Sequence, residues 1–127
     1  MSAHKQKCRR SVALRLVPLT QAHVSPSWLR WLRESRQWIA AAKRTRTLSA
    51  LARTAQKWEG DPFIVAYAVE GRWPKGPWIH IGNVKLDSHI QWEEPPGELC
   101  VVMGILLAPE VQGLGVGPRI IRQAARK

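Results

Sequence analysis

Three glycines, Gly113, Gly115 and Gly117, stand at every second position between the apolar run ELCVVMGILLAP and the short basic stretch PRIIRQAARK. A buried strand, a loop of about five residues and glycines at a helix start are what a bound phosphate requires. Glycine lets backbone N–H groups turn toward the ligand, and a helix N-terminus adds partial positive charge. Two standard phosphate fingerprints are excluded. The dinucleotide pattern Gly-x-Gly-x-x-Gly would need glycine where Pro118 stands, and it should follow a first strand, not the fourth. The nucleotide-triphosphate loop would need a Gly-Lys-Ser/Thr sequence, which does not follow. A plain strand-to-helix turn explains the same residues and stays open beside the phosphate reading.

Other chemistry is sparse. Cys8 lies in a basic tail and Cys100 in an apolar run, too few for a disulfide framework and suited to a reducing cytosol. His4, His23, His80 and His89 are scattered, so no metal site is expected. The net charge of +11 is uneven: residues 1–57 hold 13 Lys/Arg against the single acid Glu34, and residues 58–127 hold 7 against 8. Such a basic half fits either a polyanionic partner or a solvated arginine-rich face. No run of about 18 apolar residues is present, so no membrane span is expected. Arg15 and Pro18 interrupt the apolar stretch near the start, which argues against a secretory signal, although a basic, acid-poor start also fits a mitochondrial presequence.

The chain length suits one domain. Residues 1–11 read as a basic flexible tail and 12–127 as the folded domain. VALRLVPL alternates apolar positions and predicts a strand over 12–17. Ser25-Pro26 offers a helix start, and Trp28, Leu29, Trp31, Leu32, Trp38, Ile39 and Ala42 predict an amphipathic helix over 26–41. A second helix is expected over 48–58, with Leu48, Leu51, Ala52, Ala55 and Trp58 on one face. Strands follow over 63–69, 78–86 and 98–107, with the turn GRWPKGP between the first two and a bulge or close backbone approach at Gly82. The third strand reads as central, buried on both faces or bent at Gly104, and a helix is expected from Pro118 onward. The order strand, helix, helix, strand, strand, strand, helix is an α/β or α+β plan.

VQGLGVG after GILLAP resembles the acetyl-CoA motif of the GNAT superfamily of N-acetyltransferases: Arg or Gln, two residues, Gly, one residue, Gly or Ala. LRLVPLTQAHVSPSWLRWL and HIGNVKL fall in the order and spacing of the branch that acetylates protein N-termini, ribosomal proteins or amino-sugar nucleotides, so the resemblance covers roughly residues 12–125. It implies a central mixed, mostly antiparallel sheet flanked by helices. It implies acetyl-CoA as co-substrate, no metal, a primary amine as acceptor (a protein N-terminus, amino sugar or small amine) and a cytoplasmic location. Ile105, Leu106 and Leu107 would offer backbone groups to the pantetheine arm. Gln112, Gly113, Leu114, Gly115, Val116 and Gly117 would wrap the pyrophosphate. Glu98, or else Glu94, would serve as the base, with a solvated charge in the turn EEPPGE as the alternative reading of either.

The sequence departs from the pattern in three places. Pro118 removes a backbone donor, Leu114 stands where a basic residue is common, and the family's following strand, helix and two further strands have no counterpart. The acid that protonates the leaving thiolate comes from that missing part in the family, and Tyr67, the only tyrosine, falls on an early strand. The strand before the loop would keep an unpaired edge, which invites self-association. Two other readings remain. The chain could be an inactive CoA-binding remnant, or a basic RNA-binding module acting through Arg30, Arg33 and Arg36 beside Trp28, Trp31, Trp38 and Trp58.

Overall fold

The computed structural model describes residues 12–34, 47–88, 91–92, 98–99 and 102–126. Its first strand, β1 (Ala13–Pro18), buries Leu16 and exposes Arg15, as the alternation requires. Pro18 is the last paired residue, opposite Tyr67, a position that an edge strand tolerates. A short 3-10 turn, Gln21–His23, follows; its Thr20 cap and His23 ring exchange hydrogen bonds with the backbone.

Helix α1 (Pro26–Glu34) begins where expected, because Ser25 Oγ accepts the Trp28 N–H at 3.2 Å. Trp28, Trp31 and Leu32 form its buried stripe. Residues 35–41 of the expected helix, with Trp38, lie outside the described residues, as does the tail 1–11. Helix α2 (Leu48–Glu59) is capped by Thr47, whose hydroxyl accepts the Ala50 N–H at 3.1 Å.

The antiparallel sheet continues with β2 (Ile64–Arg72) and β3 (Ile79–Asp87). The ladder between them shifts register at Val69/Glu70, so Val69 faces Gly82 while Glu70 faces His80. Gly82 therefore sits at the irregularity that its place in an apolar strand predicted.

Within the long apolar run, β4 (Val102–Leu107) pairs with β3, and Glu98–Leu99 pairs with Gln91–Trp92 in a two-stranded ladder. The sheet order is β1-β2-β3-β4, with every neighbour antiparallel. The expected α+β order is met: among the described residues every strand pair of the sheet is antiparallel, and β4 lies at its edge, as the expected unpaired edge requires.

A 3-10 turn, Pro109–Val111, leads to helix α3 (Val116–Ala125). It begins two residues earlier than Pro118, inside the glycine loop. The fold is α+β. Its core is built from Trp28, Leu51, Val12, Val69, Val84, Val116 and Ile120, all fully buried. Asn83 and Lys85 meet Trp28 and Trp58 on the α1/α2 side, so pleating puts Val84 on the other side, where it is equally covered. Among the described residues no helix is long and apolar enough to cross a membrane.

Candidate cofactor site

The glycine loop connects the end of β4 to α3. Gly113 and Gly115 have φ of +83° and +75°, the left-handed region that a side chain makes costly. Gly115 is the N-cap of α3 and supplies no side-chain hydrogen bond, so the first N–H groups of the helix are left for another partner. A Cβ built at Gly113, Gly115 or Gly117 would meet nothing within 4 Å. Gly117 is the informative one. Its backbone is not left-handed and its surroundings are open, so nothing within the described protein demands glycine there. An approaching ligand would. Pro118 becomes the third residue of α3, which leaves the donors of Val116 and Gly117 in place.

The edge of β4 supplies the second half of the site. The Ala108 N–H donates to the Ile81 carbonyl at 2.8 Å, and in the same register Leu106 stands opposite Asn83. Backbone groups alternate from side to side along a strand. Leu106 therefore turns its backbone to β3, whereas Ile105 and Leu107 turn theirs to the open edge. The Leu107 carbonyl is engaged by Gln112 Nε2 at 3.3 Å, which ties the loop back to the strand. Leu114 is half-buried against the core and Val116 is fully buried, so these two anchor the loop from below. Arg30 of α1 pairs with Glu110, in the turn just before the loop.

The main chain of Glu98 pairs with Trp92 in the short ladder. Its side chain is outside the described residues, as is Glu94 altogether. Trp28 and Trp31 are 1% and 3% exposed, so they form core and not a stacking platform for RNA. Tyr67 lies on β2, opposite Val84.

A polar cluster that the sequence did not reveal underlies α1. In the orientation that satisfies its partners, the Asn83 amide donates to His80 Nε2 and to the Gly82 carbonyl, and its oxygen accepts the Trp28 indole N–H at 3.2 Å. The His80 ring meets those of His23 and Trp31 edge-on, at 5.1 and 5.0 Å between centroids. Glu70, held by Arg15 Nε at 2.6 Å, lies 3.9 Å from His23 Nε2. The signal available in advance was two polar residues, His80 and Asn83, in the first, mostly apolar part of the strand, Ile79–Val84.

Burial is the main cause that lowers the pKa of His80 from its ordinary 6.5. The unfolded chain consequently binds this proton more readily than the folded one. Stability from His80 is complete above pH about 6.5 and is lost as the pH falls toward the lower folded value. Urea denaturation at stepped pH should show a decline below that point, of at most about 1.4 kcal/mol per pH unit from this site, which His80→Gln removes. An unchanged profile in that variant would assign the decline to other groups.

No protein-family model and no curated protein matches the sequence. Solved structures do match. An acetyltransferase from Thermus thermophilus aligns over 90% of this chain and 68% of its own, with a TM-score of 0.62 and 22% identity. Spermidine N-acetyltransferase from Vibrio cholerae, in a dodecameric structure, aligns over 91% of this chain and 60% of its own, with a TM-score of 0.57 and 20% identity. A chimera of the Vibrio cholerae enzyme SpeG with hSSAT gives 0.58 and 21%, over 90% of this chain and 60% of the chimera. The chain thus spans about three-fifths to two-thirds of the length of the proteins it matches. Over the part they share, the chain has the fold of these solved structures.

Proposed function

We propose that this chain is the acetyl-CoA-binding part of an N-acetyltransferase that moves an acetyl group to a primary amine by direct attack on the thioester. The observation that carries this reading is the glycine loop, open at Gly113, Gly115 and Gly117, at the N-terminus of α3 and beside a strand edge that is unpaired among the described residues. The donor set fits the group: unpaired N–H donors at a helix start suit a pyrophosphate, and an extended strand edge suits an amide-bearing arm. Acetyl-CoA supplies an acetyl group activated as a thioester.

Gln112, Gly113, Leu114, Gly115, Val116 and Gly117 hold the pyrophosphate. The backbone of Ile105, with the Leu107 N–H, orients the arm, and a β4 N–H aimed at the reacting carbonyl stabilises charge as it develops. The attacking amine must be neutral and must give up a proton. Glu98 is the base that takes it. The acceptor is an amine-bearing molecule of the kind that protein or amino-sugar N-acetyltransferases use, rather than a polyamine. The excess of cations in residues 1–57 favours an acceptor carried on an acidic partner and disfavours a polycation. The two scattered cysteines suit a cytoplasmic setting. The edge of β4, unpaired among the described residues, also offers a surface for self-association when no cofactor covers it.

Calorimetric titration of the whole chain with acetyl-CoA tests the reading, with binding in the micromolar range expected. A folded chain that takes up no acetyl-CoA would overturn it. With an accepted amine in hand, Glu98→Gln should lower kcat by roughly 10²- to 10⁴-fold and leave acetyl-CoA affinity unchanged. Wild-type turnover in that variant would remove Glu98 from the role.

A further inference from the structure

The hairpin between β2 and β3 carries the stretch RWPKGPW, residues 72–78, which acetyl transfer leaves unused. It borders a cavity of about 320 Å³ lined by Ala13, Arg72, Trp73, Pro74, Lys75 and Gly76. That volume is at the lower end of small-ligand sites. The lining combines an indole with two cations and includes no carboxylate. Arg72 and Lys75 are exposed, and neither forms an ion pair among the described residues. Glu70, the acid two residues before Arg72, is already held by Arg15. Arg15 and Arg72 both lie over the Trp78 ring, 4.2 and 5.1 Å from its centroid, and Arg72 also lines the cavity.

Lys75 has φ of +64°, the only non-glycine residue with positive φ among those described, although Gly76 follows it. The turn is held closed by the Gly76 N–H on the Trp73 carbonyl at 3.0 Å. Trp73-Pro74-Lys75-Gly76 is thus a turn with proline second and positive φ third, which sets Lys75 at the rim of the cavity.

We propose that this cavity binds a nucleoside phosphate, with the base against the Trp73 indole and the phosphate between Arg72 and Lys75. Indoles stack on bases of any sequence, and paired Arg and Lys cations complement phosphate. An inorganic anion would leave the indole face unused, and an uncharged ring would leave both cations without a partner. The cavity shares no residue with the glycine loop. A free nucleotide and a nucleotide within an RNA strand offer the same chemistry.

The test uses the full chain carrying Gly117→Asp, so that adenosine-containing ligands do not report on the glycine loop. AMP, adenosine, inorganic phosphate and a single-stranded RNA decamer are titrated while tryptophan fluorescence is followed. AMP should bind at least tenfold more tightly than adenosine or phosphate. Adding Arg72→Gln with Lys75→Gly should weaken it at least tenfold, and the second change relieves the positive φ and so protects the fold. Melting of each variant by circular dichroism checks this. In the Gly117 parent, the same pair of changes should leave acetyl-CoA binding intact, so failure here is distinct from failure of the acetyltransferase reading. RNA binding at least tenfold tighter than AMP, and lost in the pair, would support the same site with a strand as the source. Absence of binding by both AMP and RNA, or binding that the pair leaves unchanged, would overturn the proposal.

Discussion

Gly117→Asp should leave the fold intact and weaken acetyl-CoA binding at least 100-fold. The two halves of this expectation have separate causes. A Cβ at Gly117 meets nothing within 4 Å, and the residue lies in the first turn of α3 without a left-handed φ. Aspartate is a better helix former than glycine by a few tenths of a kcal/mol, and a carboxylate near a helix N-terminus adds about 0.3–1 kcal/mol. Stability should therefore hold or rise slightly. The carboxylate, however, occupies the end of the helix that a phosphate needs, and it repels that phosphate. Gly115→Asp is the poorer experiment: with φ of +75° it carries about 1–2 kcal/mol of backbone strain, so lost binding could reflect a displaced loop. Calorimetry with acetyl-CoA beside thermal melting separates the outcomes. A Gly117→Asp chain that binds as the parent does would reduce the loop to a strand-to-helix turn.

The largest stability loss is expected from Gly82→Ala. Its added Cβ would stand 2.5 Å from the Leu106 carbonyl oxygen, 2.8 Å from Leu107 Cδ2 and 3.3 Å from Leu107 Cα. Two of these atoms are backbone, so no rotamer change relieves the clash and β4 must move away from β3. Overpacking commonly costs about 1–3 kcal/mol, and disturbing a strand ladder puts this case at about 3 kcal/mol or above. Since β4 carries the edge formed by Ile105 and Leu107, acetyl-CoA affinity should fall together with stability. Gly60→Ala is the control. Its Cβ would lie 3.7 Å from the Gln56 carbonyl oxygen, an ordinary contact, so it should change the urea midpoint little. Equal midpoints for the two variants would mean that β3 and β4 are not held in the close register described.

Local periodicity and turn chemistry were legible in the sequence because they depend on neighbours in the chain. The stripe of Trp28, Trp31 and Leu32, the Ser25-Pro26 helix start, the alternation of β1 and the helix of residues 48–58 all follow from spacing of 3.6 or 2. So does the glycine loop, since Gly113 and Gly115 have the positive φ that their residue type permits. Tertiary structure alone decided the rest. An apolar run does not state its partner, so the pairing of Val102–Leu107 with β3 and of Glu98–Leu99 with Gln91–Trp92 was decided by tertiary structure. The start of α3 at Val116 depended on burial of that side chain beneath the loop. Arg15 meets Glu70 across 55 residues and Arg30 meets Glu110 across 80, separations that no local pattern encodes. The hairpin cavity needed the same closure, because Ala13 reaches Trp73 and Lys75 only once β1 has paired with β2.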